Sequence, residues 1–420
     1  MLEVRAFRGL TFDTGKTGSQ DAIITPPYDV IGPEERAILA AKSPYNLVHV
    51  QLPMPSGDAS PYENAEKIFE GWLKDGVLVQ DGQPHFYLLR QHFTDIEGVA
   101  RTRRGFFAAV KIPEAEERII LGHERTFAKP VEDRLKLTAA LQANLGAVFA
   151  LYDDDDAQLA AFLGQMEQSE PHATATTIDG VRQEFWRVDD DPVVTRFFEN
   201  KTLYIADGHH RFQTAGIYRD QMRAAHPEAT GLQPYDYVLM GFVALNDPGL
   251  KIYPAHRLVP QPAGFDAAKF VEALKPWFDV ESMSSDALPE RLASDPAACA
   301  IGLVIHGAGA CLLKLRDIDR TTLLGSDRGP AWRDLDVAVL HRGIIERVLG
   351  IAEGAEFVYE KNLARAIEAA ETGSAGLSFL LRSVKPSQVQ ACARDTEPMP
   401  QKSTYFFPKL PSGGVLNRLI

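Results

Sequence analysis

The sequence predicts a mixed α+β protein built from two domains. Strand-like apolar runs and segments of helical periodicity alternate along the chain, which is typical of mixed architectures. The chain has 420 residues, more than a single hydrophobic core usually serves. Because the pattern changes after Pro260, we expect a larger domain over residues 1–260 and a smaller α+β domain over residues 261–420.

In the first 200 residues, periodicity and turn residues indicate the elements one by one. Pro26-Pro27 enforces an extended segment, and Pro33 suits the first turn of a helix, where no N–H is needed. Residues 156–198 show little periodicity and are expected to form an irregular connector with one strand at 183–188. The other expected elements are paired strands over 85–93 and 103–112, a helix over 132–145 and a buried strand over 146–152.

After residue 230 the pattern predicts strands first and then alternating elements. A turn at 246–249 separates two strands, because Asn-Asp-Pro-Gly is a strong turn sequence. The further expected elements are a helix over 265–280, a hairpin that turns at 306–309, a helix over 335–351, a strand over 375–382 and a short helix over 386–393.

The composition argues against several classes of protein. Forty-four basic and 57 acidic residues give a net charge of −13, so no continuous basic surface for nucleic acid is expected. The chain has no apolar run of about 18 residues for a membrane span and no apolar signal segment, so a cytoplasmic location is expected. Cys299, Cys311 and Cys392 form no Cys-x-x-Cys pair, which disfavours a zinc cluster or a disulfide framework.

An unusual polar stretch joins a predicted strand over 203–206 to a helix that begins near Phe212. It consists of Asp207, Gly208, His209, His210 and Arg211. Backbone N–H groups and the positive end of the helix dipole meet at a helix start, so such a turn is a natural anion site. A simpler interpretation is that Asp207 caps the helix and the histidines are surface residues.

Two loops also concentrate polar side chains without regular periodicity. The first, residues 26–31, is stiffened by its prolines, and the second, residues 120–134, is dense in ionisable groups. Catalytic groups often lie on such loops. The alternative interpretation is a structural turn for the first loop and an exposed charged loop for the second. The side chains in question are Tyr28 and Asp29 in the first loop, and His123, Glu124, Thr126, Lys129 and Arg134 in the second.

A fourth stretch, residues 399–410, interleaves amines and hydroxyls with aromatic rings. Its polar members are Lys402, Ser403, Thr404 and Lys409. Such donors beside aromatic faces suit contacts to phosphate and to a nucleotide base, and an edge strand explains them equally well.

Together the four stretches supply what phosphoryl transfer requires. They contain donors for phosphate groups and carboxylates that can hold a metal or accept a proton. The sequence has neither the GxxxxGK[ST] motif of P-loop enzymes nor the GxGxxG motif of protein kinases, so both classes are disfavoured.

The chain is identified as a member of a bacterial family, domain-of-unknown-function family 1015. The resemblance runs along nearly the whole chain and rests on ordered blocks. These blocks are "FRGL", "PPYDVI", "GHERT" with a following arginine, "IADGHHRFQTA", "NDPGLKIYPAHRLV", "LDVAVLH" and "MPQKSTYFFPKL".

The polar turn also resembles a motif in the superfamily of ParB, sulfiredoxin and the ADP-dependent free-serine kinase. A Gly-x-x-Arg turn opens a helix there and binds nucleotide phosphates, which implies a ParB/sulfiredoxin-like fold for the N-terminal domain. By position, Gly208 would allow close approach of a phosphate and Arg211 would clasp it. His209 takes the place of the reactive cysteine of sulfiredoxin, so repair of sulfinic acids is not expected. The Asp-Gly-His opening favours the kinase.

We therefore expect a nucleotide-dependent kinase that acts on a small hydroxylated metabolite such as a free amino acid. The implied cofactors are ATP or ADP and Mg²⁺. Glu124 is the expected general base, with Asp207 as second choice and His123 as its modulator. His209 is expected at the reacting groups. The expected substrate or metal contacts are Asp29, Tyr28 and His123, and Asp207 is a second metal candidate.

Two alternatives to a kinase fit the same residues. One is a ParB-like nucleotide switch without transfer chemistry, and the other is a nucleotide hydrolase. The expected phosphate contacts in all three are Gly208, His210, Arg211, Lys402, Ser403 and Thr404. The tail of the second domain is therefore expected to return to the site. The expected partners are the nucleotide and a small substrate, without nucleic acid or membrane, and a homodimer is compatible with the sequence.

Overall fold

The computed structural model describes residues 1–352, 355 and 357–420, which form two compact units. The first unit comprises Met1–Gly122, Thr126–Leu250 and Pro408–Ile420. The second unit comprises His123–Arg125 and Lys251–Phe407. Both units combine helices with strands, so the predicted α+β class is confirmed.

The strands of the described residues are numbered in chain order. They are β1 (Val4–Arg5), β2 (Leu10–Phe12), β3 (Leu78–Gln80), β4 (His85–Thr94), β5 (Ala100–Lys111), β6 (Ile120–Leu121), β7 (Ala143–Asn144), β8 (Val148–Tyr152), β9 (Ala173–Thr176), β10 (Arg182–Asp189), β11 (Leu203–Asp207), β12 (Tyr237–Ala244), β13 (Lys251–Tyr253), β14 (His256–Val259), β15 (Phe278–Met283), β16 (Ala300–Ile305), β17 (Gly309–Leu315), β18 (Val358–Glu360), β19 (Leu377–Leu380), β20 (Tyr405–Phe407) and β21 (Asn417–Arg418).

The α-helices are numbered in the same way. They are α1 (Thr14–Thr17), α2 (Pro33–Lys42), α3 (Val48–Gln51), α4 (Pro61–Lys74), α5 (Ala128–Leu141), α6 (Gln158–Met166), α7 (Pro192–Phe198), α8 (His209–Ala225), α9 (Ala267–Leu274), α10 (Leu288–Ser294), α11 (Arg320–Leu324), α12 (Pro330–Arg333), α13 (Asp336–Ala338), α14 (Leu363–Glu371) and α15 (Pro386–Arg394). Short 3-10 turns occupy Gln20–Ala22, Tyr28–Val30 and Pro234–Asp236, and a π-helix occupies Val339–Glu346.

The first unit is built on a mixed sheet of nine strands among the described residues. Its order is β6-β11-β8-β12-β5-β4-β10-β9, and β1 pairs with β5. Strand β11 runs antiparallel to β8, and β8 runs parallel to β12. The register of β11 on β8 shifts between Ile205 and Asp207, so that Asp207 stands opposite Phe149. This irregularity lies at the end of β11, immediately before α8.

Alternate residues of the central strands form the main core of the first unit. In β8, Val148 and Ala150 point to one face because side chains alternate along a strand. They pack with Met240 and Phe242 of β12 and with Phe198 at the end of α7. All of these side chains are buried, which fixes β8 and therefore the neighbouring end of β11.

Residues 408–420 pack on the first unit through backbone pairing at three places. Ser412 and Thr25 exchange N–H···O bonds of 2.9 and 3.0 Å, and Leu416 and Leu10 exchange two bonds of 2.9 Å. Strand β21 pairs with β7 in antiparallel fashion. These bonds hold the backbone of the segment in one position, so its side chains occupy defined places in the first unit.

The second unit contains an antiparallel sheet of six strands among the described residues, in the order β15-β17-β16-β19-β14-β18. The predicted hairpin is confirmed, because β16 and β17 pair and a turn over 306–308 joins them. Strand β20 pairs with β13, with Phe406 opposite Ile252. The aromatic residues after Thr404 therefore belong to a short strand.

Three sequence-based expectations about elements were wrong. The stretch 156–198 is regular, with α6, β9, β10 and α7, because its short strands and polar turns hide the periodicity. The helix expected over 265–280 ends at Leu274, since Pro276 cannot continue it, and the next residues enter β15. The helix expected over 335–351 is mostly a π-helix, which a pattern of 3.6 residues per turn does not distinguish.

None of the described helices combines the length and the apolar character that a membrane crossing requires.

Candidate phosphate-binding site

The polar turn connects β11 to α8 through a glycine in the left-handed conformation. Gly208 has φ 89° and ψ 28° and directly precedes the helix. A Cβ atom at this position would lie 2.9 Å from the guanidinium carbon of Arg211. Both the backbone conformation and the close approach of Arg211 therefore require glycine here.

The first turn of α8 directs its backbone N–H groups out of the helix end. Phe212 donates the first intrahelical hydrogen bond, to the carbonyl of Gly208 at 2.9 Å. The N–H groups of the preceding residues consequently lie at the positive end of the helix dipole. The helix is 17 residues long, and this end is the place where an anion is stabilised.

The carboxylate of Asp207 pairs with two cations. Its Oδ2 accepts a hydrogen bond from Nη2 of Arg211 at 2.7 Å, and its Oδ1 accepts one from Nζ of Lys409 at 2.6 Å. All three side chains are at most 14% exposed. Burial alone would raise the pKa of Asp207, but the charges of Lys409 and Arg211 outweigh it and hold that pKa well below its usual range. Asp207 therefore stays ionised at physiological pH.

Arg211 is held at two points within the first unit. Its Nη1 donates to the carbonyl oxygen of Ala147, and its Nη2 donates to Asp207. Its Nε is buried and has no hydrogen-bond partner within the described residues. A buried donor without an acceptor is unfavourable, so this atom is suited to an acceptor that the protein itself does not supply.

The two histidines of the turn have different surroundings. His209 is buried, and a Cβ atom at Gly122 would lie 2.9 Å from its ring atom Cδ2. His210 accepts a hydrogen bond at Nε2 from the backbone N–H of Phe127 at 3.0 Å. Its ring also lies against that of Phe127, with ring centroids 6.0 Å apart. His210 thus anchors the start of α5, and His209 packs beneath the turn.

Lys409 owes its position to the segment 408–420. The carbonyl of Lys409 accepts a hydrogen bond from Nε2 of Gln91 in β4 at 3.1 Å. Three residues later, Ser412 pairs with Thr25 through the backbone. The lysine is therefore fixed on both sides of its Cα, and its ammonium group is directed at Asp207.

A small cavity adjoins the turn in the first unit. It has a volume of about 60 Å³, counted over the positions that water centres can occupy. A Cβ atom at Gly146 would lie 2.6 Å from Oγ of Ser412, which shows how closely the walls approach. Its polar lining consists of Tyr28, Gln51, Arg134, Thr138, Asn144, Arg211, Thr214 and Ser412.

Tyr28 and Arg134 face each other at this cavity. The guanidinium carbon of Arg134 lies 4.3 Å from the centre of the Tyr28 ring. Burial and, secondarily, the charge of Asp29 raise the pKa of Tyr28, while Arg211 and Arg134 oppose the shift. The hydroxyl of Tyr28 therefore keeps its proton and can donate it in a hydrogen bond. Asp29 itself is exposed on the 3-10 turn Tyr28–Val30.

The described residues contain no cluster of three or more histidine, cysteine or acidic side chains suited to a metal. Mg²⁺ does not require one, because it is commonly held by one or two carboxylates together with substrate phosphates. Both oxygens of Asp207 already accept hydrogen bonds from cations. Of the two carboxylates expected at a metal, Asp29 is the exposed one.

The other candidate residues lie in the second unit. Nε2 of His123 and Oγ1 of Thr404 are 3.1 Å apart, and the carbonyl of His123 accepts a hydrogen bond from the N–H of Met399 at 2.8 Å. The buried hydroxyl of Ser403 donates to the carbonyl of Pro400 at 2.5 Å. Glu124 is partly exposed and Lys402 is exposed. Within this unit the structure thus joins His123 to the 399–404 segment.

Several residues that line the cavity were not predicted as site residues. Gln51, Asn144 and Ser412 lie in stretches without a local signal, and only their tertiary neighbours identify them. Arg134 was noted only as one of many charges in its loop. A glycine pair directly after Ser412 was the one hint of a close backbone approach.

A family profile described as "Protein of unknown function (DUF1015)" matches residues 4–338. The chain belongs to this family. The DUF1015 match includes the loop at Tyr28, the 120–134 loop and the Asp207–Arg211 turn, but not the residues after 338.

The comparison of this DUF1015 chain with curated proteins gave no match. Among solved structures, it is similar to a conserved hypothetical protein from Pyrococcus furiosus, with 14% identity and a TM-score of 0.35 over 70% of this chain and 90% of the other. It is also similar to a free serine kinase in complex with AMP, with 15% identity and a TM-score of 0.33 over 69% and 83%. A third is C-terminally truncated SbnI from Staphylococcus aureus, with 11% identity and a TM-score of 0.32 over 72% and 84%.

Proposed function

We propose that the first unit binds nucleotide phosphates at the Asp207–Arg211 turn and transfers a phosphoryl group to a small hydroxylated acceptor. The observation that carries the proposal is the pairing of one buried carboxylate, Asp207, with two cations, Arg211 and Lys409, at the N-terminus of α8. Two cations for one carboxylate leave a net positive charge beside the positive end of the helix dipole. Such a place favours a polyanion.

Arg211 and Lys409 act as the phosphate donors in this proposal. A guanidinium offers several N–H groups in a fixed plane, which suits the oxygens of a phosphate, and the ammonium group supplies a compact charge. Nη1 and Nη2 of Arg211 each use one of their two N–H groups within the protein, so each has a second N–H that can donate to a phosphate oxygen. Gly208 lets the phosphate approach the helix end because it carries no side chain.

Asp207 serves as an organiser of these cations. Its strongly lowered pKa makes it a weak proton acceptor, so it is poorly suited to the role of general base. Its two oxygens instead fix the directions of Arg211 and Lys409. Positioned charges of this kind are the main contribution that a protein makes to phosphoryl transfer.

Glu124 is our candidate for the general base. In the first unit, Gly122 directly precedes the segment His123–Arg125 and lies against His209, and the N–H of Phe127, two residues after that segment, donates to His210. In the proposed step the hydroxyl oxygen of the acceptor bonds to the terminal phosphorus, and its proton passes to the carboxylate of Glu124. The bond from that phosphorus to the bridging oxygen breaks, and its electron pair stays with the nucleotide.

Mg²⁺ would neutralise charge on the phosphates when bound. Asp29 is the carboxylate that we propose for its protein ligand, because it is exposed and lies next to Tyr28, whose pKa responds to Arg211 and Asp207. Lys402, Ser403 and Thr404 remain proposed contacts to the nucleotide, on the sequence argument alone.

A nucleotide titration followed by an acceptor screen tests the proposal. Calorimetry with ATP, ADP and CTP is expected to show binding to the wild-type protein and strongly weakened binding to Arg211→Gln. Arg219→Gln is the matched control, since Arg219 is a similarly buried arginine of α8 whose Nη1 donates to Ile112 and Pro113. Nucleotide turnover that depends on an added hydroxylated acceptor supports a kinase.

Other results of the screen would point to another function. Turnover without any acceptor would identify a hydrolase, and tight binding without turnover would identify a switch. Unchanged nucleotide affinity in Arg211→Gln would refute the phosphate site itself.

A further inference from the structure

The cavity beside the turn is lined by two cationic side chains and, among the described residues, by no anionic one. Asn144 already accepts a bond at Oδ1 from the N–H of Leu239 at 2.9 Å, and Gln51 accepts one at Oε1 from the hydroxyl of Thr25 at 2.5 Å. No carboxylate is among the described lining residues. The charged donors at the space are the two guanidinium groups, Arg134 and Arg211, and the hydroxyl of Tyr28 lies beside them. The hydroxyls of Thr138, Thr214 and Ser412 can either donate or accept.

Arg134 is a buried cation, and not all of its N–H groups are used within the protein. Its side chain is 9% exposed. Nε and Nη2 donate to Oδ2 of Asp133, and Nη1 donates to the carbonyl of Gln51 at 2.7 Å. These contacts use three of the five N–H groups of a guanidinium. The other two are available to a ligand in the cavity.

Arg211 supplies a second buried donor to the same space. Its Nε has no partner within the described residues. Tyr28 adds a third donor, since its raised pKa keeps the hydroxyl protonated. Two buried guanidinium groups and a phenolic hydroxyl, with no carboxylate in the described lining, indicate an occupant that accepts hydrogen bonds and carries negative charge.

The charge and the size of the cavity narrow the class of occupant. Each guanidinium is already paired with one aspartate, Arg134 with Asp133 and Arg211 with Asp207. The site therefore suits a singly charged group better than a doubly charged phosphate. A volume of about 60 Å³ for water centres corresponds to about four waters, which is the size of a small carboxylate group with one or two further atoms.

We propose that this cavity binds the carboxylate of the acceptor, so that the acceptor is a small hydroxy acid or hydroxylated amino acid. Arg134 and Tyr28 would hold the carboxylate, and Arg211 would lie between it and the phosphates at the turn. The identification of the occupant as the acceptor rests on the proposed function. The binding of a carboxylate does not, and it is measured without any turnover.

The test compares pairs of probes that differ only in the carboxylate. Calorimetry with glycerate against glycerol, and with serine against serinamide, is made with and without a nonhydrolysable nucleotide. We expect the carboxylates to bind and their counterparts without a carboxylate not to bind. Inorganic phosphate is titrated in a separate arm, because the donors would also accept a phosphate group.

Two substitutions connect the binding to the cavity. Arg134→Gln is expected to weaken carboxylate binding by about tenfold or more, the loss typical of a charge-assisted contact. Tyr28→Phe removes one hydroxyl and is expected to weaken it by a smaller factor, and this variant keeps the test valid if Arg134→Gln does not fold. Arg219→Gln is the control, because Arg219 also donates to a neighbouring aspartate, Asp220, but does not line the cavity.

Several outcomes would overturn the proposal. Equal binding of serine and serinamide would do so, as would unchanged carboxylate affinity in both cavity variants, or binding of phosphate with none of carboxylates. Absence of binding by every probe would also refute it. Nucleotide binding that persists in Arg134→Gln separates the two proposals, since loss of the carboxylate site would then leave the phosphate site intact.

Discussion

The ammonium group of Lys409 lies 2.6 Å from Oδ1 of Asp207, although 202 positions separate the two residues. The other oxygen of the same carboxylate accepts a hydrogen bond from Arg211, four residues along α8. The local strand–turn–helix segment is thus completed by a cation from the segment 408–420. A substitution at any of the three positions changes the charge that the other two experience.

Arg211→Lys is expected to lower nucleotide affinity by about tenfold or more, because lysine keeps the charge but loses the planar set of donors. The remaining ammonium group can pair with Asp207 but cannot also reach the carbonyl of Ala147 in the same geometry. Calorimetric titration of wild-type and variant protein measures the effect. An affinity equal to that of the wild type would show that Arg211 is only a structural partner of Asp207.

Lys409→Met is expected to destabilise the folded protein by about 3 kcal/mol at pH 7, because it leaves a buried carboxylate with one cation instead of two. The folded pKa of Asp207 is lowered, so the stabilisation by Lys409 is fully present above the unfolded pKa of about 4. It is lost progressively as the pH falls toward the folded pKa. Urea unfolding at pH 7 and pH 3 measures the difference, which should shrink in acid.

Lys136→Met is the control for that experiment. Lys136 pairs with Glu132 on the exposed surface of α5, where ion pairs contribute little. It should change stability only slightly at either pH. If Lys409→Met changed the free energy of unfolding equally little, the contact of Lys409 with Asp207 would not contribute to stability.

Gly208→Ala is expected to reduce both stability and nucleotide binding. The residue has φ 89°, and the added methyl would lie 2.9 Å from the guanidinium of Arg211, so a cost of about 1–2 kcal/mol is expected. Gly216→Ala in the same helix is the matched control. Nothing lies within 4 Å of its would-be Cβ, and alanine there should be neutral or stabilising. Similar unfolding curves for the two variants would contradict the requirement for glycine at 208.

Glu124→Gln is expected to lower acceptor-dependent turnover by about a hundredfold or more and to leave nucleotide affinity unchanged, as for loss of a general base. Glu132→Gln, an exposed carboxylate eight residues later, is the control. Turnover and affinity are measured on the same preparations. Full activity in Glu124→Gln would show that Glu124 is not the general base, and Asp29 would then be the next candidate.

The turn was predictable from sequence because every signal for it is local. An apolar strand, a glycine and a helix with its own periodicity lie within about 20 residues, and β11 and α8 are found there. The sequence predicts that the tail returns to the turn, but it does not identify the individual contacts. The contacts of Asp207 with Lys409 and of His210 with Phe127 depend on how segments distant in sequence pack together. The hydrophobic periodicity of a single segment does not predict such packing.

The cavity shows the same division between local and tertiary information. Tyr28 was singled out because prolines precede it, and Arg134 because its loop is charged, but their ring–guanidinium contact joins a 3-10 turn to α5. The prediction of an irregular connector over residues 156–198 was wrong for a local reason. Their strands are short and partly polar, so the signal was weak although the elements are regular.

The first unit draws its parts from segments on both sides of the long stretch 251–407. During synthesis on the ribosome, Asp207 and Arg211 emerge some 200 residues before Lys409, and for all that time the carboxylate lacks its second cation. Strand β7 likewise cannot pair until β21 has been synthesised. Late contacts of such long range fold slowly. A chain whose translation stops before residue 409 would lack Lys409, the second cation of the proposed anion site, so its nucleotide affinity would report whether synthesis had reached this point.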